Sequence, residues 1–139
     1  MRKKSRIIYI PAGKSKCSFI DAKDIGYVIS KILSEYQKHA CSKYTITGSE
    51  ALDYFQVAHI LTDVLSRKIT YPNPTWFKFR HYMIHKRRLE KSMVNIMVIL
   101  YIMTRLGTAS TICLDYEKIT GAKPRTFRQF SLENKAAWL

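Results

Sequence analysis

Residues 18–33 constrain the fold more than any other stretch of the chain. Ser18, Phe19 and Ile20 read as a short strand, and Asp21 stands where a helix N-cap belongs. Ile25, Val28, Ile29, Ile32 and Leu33 then recur at helical spacing on one face. Asp24, three residues after Asp21, completes a pattern like a capping box, with two carboxylates at the positive end of the helix. A strand that turns on a capping residue into a helix is the unit of open α/β sheets. Ligands of such sheets sit beyond the carboxyl ends of the strands.

Size limits what can surround this joint. The chain has 139 residues, enough for one modest domain, residues 1–139. Hydrophobic residues make up 47%, so a core forms and disorder does not. The formal net charge of +14 favours polyanionic partners: nucleic acid, anionic surfaces or phosphorylated ligands. The three cysteines, Cys17, Cys41 and Cys113, lie far apart with no C-x-x-C pair. That spacing excludes a zinc ribbon or disulfide scaffold and points to a reducing, cytoplasmic location. Residues 1–6 are basic, but the apolar run 7–10 is too short for a signal-peptide core before Pro11 and Gly13. The apolar run 93–103 falls well short of the roughly 20 residues that span a bilayer. It reads as a buried helix, and no membrane partner is expected.

In chain order, residues 7–10 and 18–20 read as strands, with a helix from Asp21 to about Glu35 and a linker over 37–42. Residues 43–47 alternate as a strand does, ending at Gly48. Ser49 is then expected to cap a helix running to Leu65. A strand over 68–71 ends at Pro72-Asn73-Pro74. From Thr75 a helix mixes aromatic and basic residues, and after a break near Leu89 the apolar helix runs to Leu106. A short helix over 112–119 and a last one from Pro124 to about Lys135 complete the chain. So few strands with so many helices would leave sheet edges open, which is the pattern of half a larger α/β fold.

The motifs are mostly negative. Five scattered glycines build no G-x-G-x-x-G and no phosphate loop. Tyr27/Lys31 and Tyr82/Lys86 have the Y-x-x-x-K spacing in which a lysine makes a tyrosine a better acid, and a helical surface pair explains both equally. His81 and His85 share a helix face, but their neighbours are cations that repel metal ions. No metal ligands and no catalytic residues are assigned. The basic and aromatic run 76–91 is suited to phosphates and stacked bases. It supports an alternative reading: a small basic nucleic-acid-binding or transcription-regulatory interaction module. Capping explains Asp21 and Asp24 without chemistry.

Three runs, "IYIPAGKSKCSFIDAKDIGYVISKIL", "YTITGSEALDYFQVAHILTDVLSRKITYPNP" and "GAKPRTFRQFSLENKAAW", resemble the C-terminal half of NmrA-like proteins, an atypical short-chain dehydrogenase/reductase group. The resemblance extends from about Ile7 to Trp138. It implies the C-terminal portion of a Rossmann-type fold, a few short strands with a helical substrate lobe. It also implies an oxidoreductase family that uses NAD(P), whose glycine-rich half precedes the part matched here. On this resemblance the chain is a truncated or separated substrate-side half. Alone it is expected to bind no cofactor and to be catalytically inactive. The expected partners are the missing Rossmann half or a second copy. The loop from Pro11 to Ile20 and the Asp21 joint would face the nicotinamide side of the cleft, which makes Pro11, Phe19 and Asp21 the substrate-cleft candidates.

Overall fold

The computed structural model describes residues 6–138, so of the basic N-terminal stretch residues 1–5 lie outside the description. It is mixed α/β and mostly helical. A two-residue ladder joins β1 (Cys17–Ser18) to β2 (Ala51–Leu52), antiparallel, with Cys17 opposite Leu52. One isolated parallel bridge joins Ile7 to Thr70. The helices are α1 (Ala22–Ser34), α2 (Tyr36–His39), α3 (Tyr54–Leu65), α4 (Trp76–His85), α5 (Lys91–Arg105), α6 (Asp115–Thr120), α7 (Phe127–Glu133) and α8 (Lys135–Trp138). α1 packs on α6, α3 on α7 and α8, and α4 on α5.

Caps set most of these boundaries. Asp21 opens α1 as its sequence position indicates, its side chain accepting the Lys23 N–H. Thr75 does the same for α4 through the Lys78 N–H. α3 differs from expectation. Its cap is Asp53, not Ser49, and Asp53 and Gln56 form a reciprocal capping box. The residues before it, Ala51 and Leu52, pair with β1 instead of coiling, and Ser49 turns its hydroxyl to the Arg125 carbonyl. The helix expected from Pro124 likewise begins later, as α7 at Phe127, where Thr126 and Gln129 form a second capping box, and its end is a separate short helix, α8. The expected linker over 37–42 is partly helical as α2, and the short helix expected over 112–119 begins at Asp115.

Two expected strands are barely realised. Residues 7–10 and 68–71 meet only at the bridge, through Ile8 N–H to the Thr70 carbonyl and Thr70 N–H to that of Arg6. Residues 43–47 form no ladder with any described segment. The sequence alternates as a strand should, but a strand exists only when a neighbour takes its backbone groups. Among the described residues, Thr45 N–H finds the Asp115 carboxylate and Thr47 Oγ1 takes the Cys113 N–H. No backbone–backbone hydrogen bond among the described residues joins 43–47 to a neighbouring segment.

The core is small. Val57, Ala58, Val64 and Leu65 of α3 are buried, with Val28 of α1, Phe79 of α4, Val94 of α5 and Tyr116 of α6. Two expected apolar faces remain bare. On α1 only Val28 of the periodic set is buried, while Ile25, Ile29 and Leu33 lie exposed, Leu33 at 69%. On α5, which the sequence presents as a buried helix, Met93, Ile96, Ile99, Leu100 and Met103 form an exposed stripe at i, i+3, i+6, i+7 and i+10. Burying one such side chain contributes about 1.5–3 kcal/mol, so both stripes are large unrealised sources of stability.

Candidate functional site

The geometry around the start of α1 shows that Asp24 is not a cap. The Asp21 backbone is extended, and its Oδ1 accepts the Lys23 N–H at 2.9 Å. Asp24 points the other way, with a side chain only 5% exposed. Its Oδ2 accepts the Arg125 backbone N–H at 2.8 Å, and its Oδ1 lies 3.0 Å from Arg125 Nη1. The Tyr116 hydroxyl donates to the same Oδ1 at 3.3 Å. Arg125 reaches further, with Nη1 at 3.6 Å from Asp21 Oδ2 and Nε at 3.4 Å from Glu133 Oε1. Lys23 Nζ closes the circuit on Glu133 Oε2 at 2.9 Å. One guanidinium thus fastens the segment before α7 to the first turn of α1, using the planar fork that suits arginine to several carboxylates. Burial, and then the Asp24 carboxylate, raise the Tyr116 hydroxyl above the ordinary phenol range. Tyr116 therefore stays neutral and donates.

Beside this clasp lies an aromatic layer. Phe19 packs edge-on against Tyr54 at 5.8 Å and tilts against Phe127 at 5.4 Å. Phe127 is followed by Phe130, and Phe130 by Trp138. Phe19, Ile20, Asp21, Arg125, Thr126, Phe127 and Phe130 line a cleft of about 170 Å³. Tyr54 closes the layer below. Burial pushes its hydroxyl well above the usual phenol range, so it is no acid at neutral pH. The layer depends on Gly48. A Cβ at that position would stand 1.8 Å from the Phe19 carbonyl oxygen, and the Gly48 N–H donates to Ser18 Oγ at 3.0 Å.

The cleft candidates therefore separate. Phe19 and Asp21 share one cleft, whereas Pro11 belongs to a second cluster. The Pro11 carbonyl accepts from Arg105 Nε at 2.8 Å, and Arg105 stacks on Trp76 at 5.5 Å. Gly13, held at φ +68, donates its N–H to Asn73 Oδ1, and the Tyr71 hydroxyl donates to the Gly13 carbonyl. The two clusters are joined by the rings Phe19, Tyr54 and Tyr71. Lys31 Nζ lies 5.9 Å from the Tyr27 ring centroid on the surface of α1, and Tyr82 packs on Tyr9. The His81 and His85 rings lie 4.4 Å apart, and among the described residues no three metal-ligating side chains converge. No helix among the described residues is long and apolar enough to cross a membrane.

Sequence reading missed Arg125, Tyr116 and Glu133. Asp24, the partner of Tyr116 and Arg125, lies 92 and 101 residues from them, and Glu133 reaches Lys23 across 110, so no spacing rule connects them. The one local signal is the position of Arg125, directly before the capping box at Thr126.

No family model matches the chain. Solved structures match it closely in shape. Triphenylmethane reductase from Citrobacter sp. superposes with a TM-score of 0.81 at 15% identity, covering 94% of this chain and 44% of that one. An NADPH-dependent quinone oxidoreductase from Escherichia coli gives 0.78 at 18% identity, covering 92% and 44%. The fold is therefore that of the C-terminal portion of a Rossmann-type reductase. Among curated relatives, a festuclavine dehydrogenase of Aspergillus fumigatus is 32% identical over 137 residues, 99% of this chain and 47% of its own length. The chain spans about half the length of the curated relatives it matches. The relatives are NmrA-like atypical short-chain dehydrogenase/reductase proteins, and the chain is similar to about half of each, consistent with their C-terminal half.

Proposed function

We propose that this chain is the substrate-side half of an NAD(P)H-dependent reductase, and that a dinucleotide-binding half seats along residues 43–47 and the bare stripe of α1. The observation that carries this reading is segment 43–47, an alternating strand sequence whose backbone finds no ladder among the described residues. An extended edge of this kind accepts a neighbouring strand. The residues present do not fit a dinucleotide. The helix leaving the strand-to-turn joint carries Asp21 at its N-cap and Asp24 in its first turn, where a pyrophosphate needs free N–H groups and no negative charge. In this reading the cofactor belongs to the other half, and this chain supplies the wall that shapes the substrate cleft.

The test combines titration with exchange. The isolated chain should show no stoichiometric NADPH binding, and amides of residues 43–47 should exchange with little protection apart from Thr45. Adding the purified N-terminal half of a relative such as the festuclavine dehydrogenase should protect those amides and yield a complex that binds NADPH. Tight NADPH binding by the chain alone, or no protection on mixing, overturns the reading.

A second reading rests on charge. Between Asp63 and Asp115 the only acid is Glu90, while Lys or Arg stands at 67, 68, 78, 80, 86, 87, 88, 91 and 105. Phe77, 80% exposed, shares a shallow groove on α4 with Lys78, His81 and Lys86. Polyanion binding there should fall steeply with salt and be lost when Lys86, Arg87 and Arg88 are changed to Gln. An electrophoretic shift of duplex DNA that ignores both changes would exclude it.

A further inference from the structure

The apolar stripe of α5 lies on a different element from the faces assigned to the dinucleotide half. α5 packs on α4 through the side that carries Val94 and Tyr101, with Tyr101 edge-on against Phe79 at 5.5 Å. The opposite side presents Met93, Ile96, Ile99, Leu100 and Met103, each at least 45% exposed, and Leu106 extends the row at 73%. The solvent face of a packed helix is ordinarily polar. A continuous apolar row in its place marks an interaction surface.

Charge narrows what covers it. Lys86, Arg87, Arg88 and Lys91 gather at the N-terminal end of the stripe, all exposed, and among the described residues none forms a salt bridge. The nearby Glu90 accepts from Ser92 Oγ, and no further acid follows until Asp115. A second copy laid along the stripe would set cations against cations. The cluster would meet itself in a parallel arrangement and the Arg105 end of α5 in an antiparallel one, and like charges oppose such docking. Area opposes it too. A ridge about 20 Å long and about 10 Å wide falls well short of the ~800 Å² that each partner commits to a stable interface.

An anionic bilayer surface meets both conditions. A helix that lies in the interface plane sinks its apolar side chains to the acyl boundary and keeps its cations among the headgroups, and it needs no spanning length. The 15 residues of α5, too short to cross a membrane, are enough to lie on one. Clusters of four or more Lys and Arg beside such a helix are attracted to acidic lipids.

We propose that α5 seats this protein on an anionic membrane surface, with Met93, Ile96, Ile99, Leu100 and Met103 at the acyl boundary and Lys86, Arg87, Arg88 and Lys91 against acidic headgroups. This goes beyond the substrate-side reading and does not depend on it.

The test is co-sedimentation of the full chain with vesicles of phosphatidylcholine alone, or of phosphatidylcholine and phosphatidylserine at about two to one. The chain should pellet with the acidic vesicles and not with the neutral ones, and raising salt from about 0.05 M to about 0.5 M should weaken the binding. Lys86→Gln, Arg87→Gln and Arg88→Gln together should weaken it roughly a hundredfold. I96N with L100N should weaken it roughly tenfold or more, and since Ile96 and Leu100 are already 59% and 60% exposed, the fold should persist by circular dichroism. No binding to the acidic vesicles, equal binding to both compositions, or binding that ignores I96N with L100N overturns the proposal. So does a dimer that I96N with L100N dissociates, which would assign the stripe to a second copy. The two vesicle compositions on the unmodified chain decide the matter even if a variant fails to fold. Vesicle binding is read without any second chain, so its failure is separate from a failure of the dinucleotide half to dock.

Discussion

Gly48→Ala is expected to destabilise the chain by about 3 kcal/mol or more, enough to unfold much of a marginally stable domain at room temperature. The added Cβ would stand 1.8 Å from the Phe19 carbonyl oxygen and 2.7 Å from its carbon. Real Cβ atoms do not approach a carbonyl so closely, and the group in the way is backbone, which no rotamer change can move. The segment after β1 would have to separate from Gly48, and with it would go the contacts of Phe19 with Tyr54 and Phe127. Gly26 is the control. A Cβ there meets nothing within 4 Å, and alanine in the middle of α1 should stabilise by roughly 0.5–1 kcal/mol. Urea denaturation of both variants separates the cases. A Gly48→Ala midpoint close to that of the unmodified chain would show that the approach is not as close as described.

Arg125→Met is the second large effect, expected at about 3 kcal/mol. Removing one partner of a buried pair leaves the other charge without compensation. Asp24, 5% exposed, would keep only the Tyr116 hydroxyl and the backbone N–H of residue 125. The estimate stays at the low end because the Arg125 side chain is 35% exposed and water screens part of the interaction. Asp24→Asn in the same chain should return about 1–2 kcal/mol, since a neutral amide tolerates the loss of the cation. The coupling comes from a double-mutant cycle in urea. Strictly additive single substitutions would mean that the clasp contributes no pairwise energy.

Local chemistry was legible in the sequence, and long-range partnership was not. Asp21 as the cap of α1 and Thr75 as the start of α4 followed from residue type and position, and the structure has both. Ser49 was the expected cap of α3, and the cap is Asp53. The later start follows from the pairing of Ala51 and Leu52 with β1, a tertiary contact invisible to local pattern. Residues 43–47 and the stripe on α5 show a different limit. Alternation and apolar periodicity state what a segment would bury, not whether its partner is in the chain. At the site, Phe19 and Asp21 were singled out together and do share a cleft, whereas Pro11 proved to belong to the Arg105 cluster. Arg125 escaped notice because a carboxylate reads as a cap until its distant cation is seen.

The clasp between Asp24 and Arg125 also has a kinetic meaning. Its two ends are 101 positions apart, so the bond closes a loop of nearly three-quarters of the chain. A contact of such long range is expected to form late, after local helices and the shorter loops are in place, so Arg125→Met should speed unfolding and leave the folding rate nearly unchanged in stopped-flow urea jumps. An interaction absent from the folding transition state acts on the rate of unfolding and leaves the rate of folding nearly unchanged. Arg125 is then less a builder of this half-fold than its latch, setting how long the assembled state persists once formed.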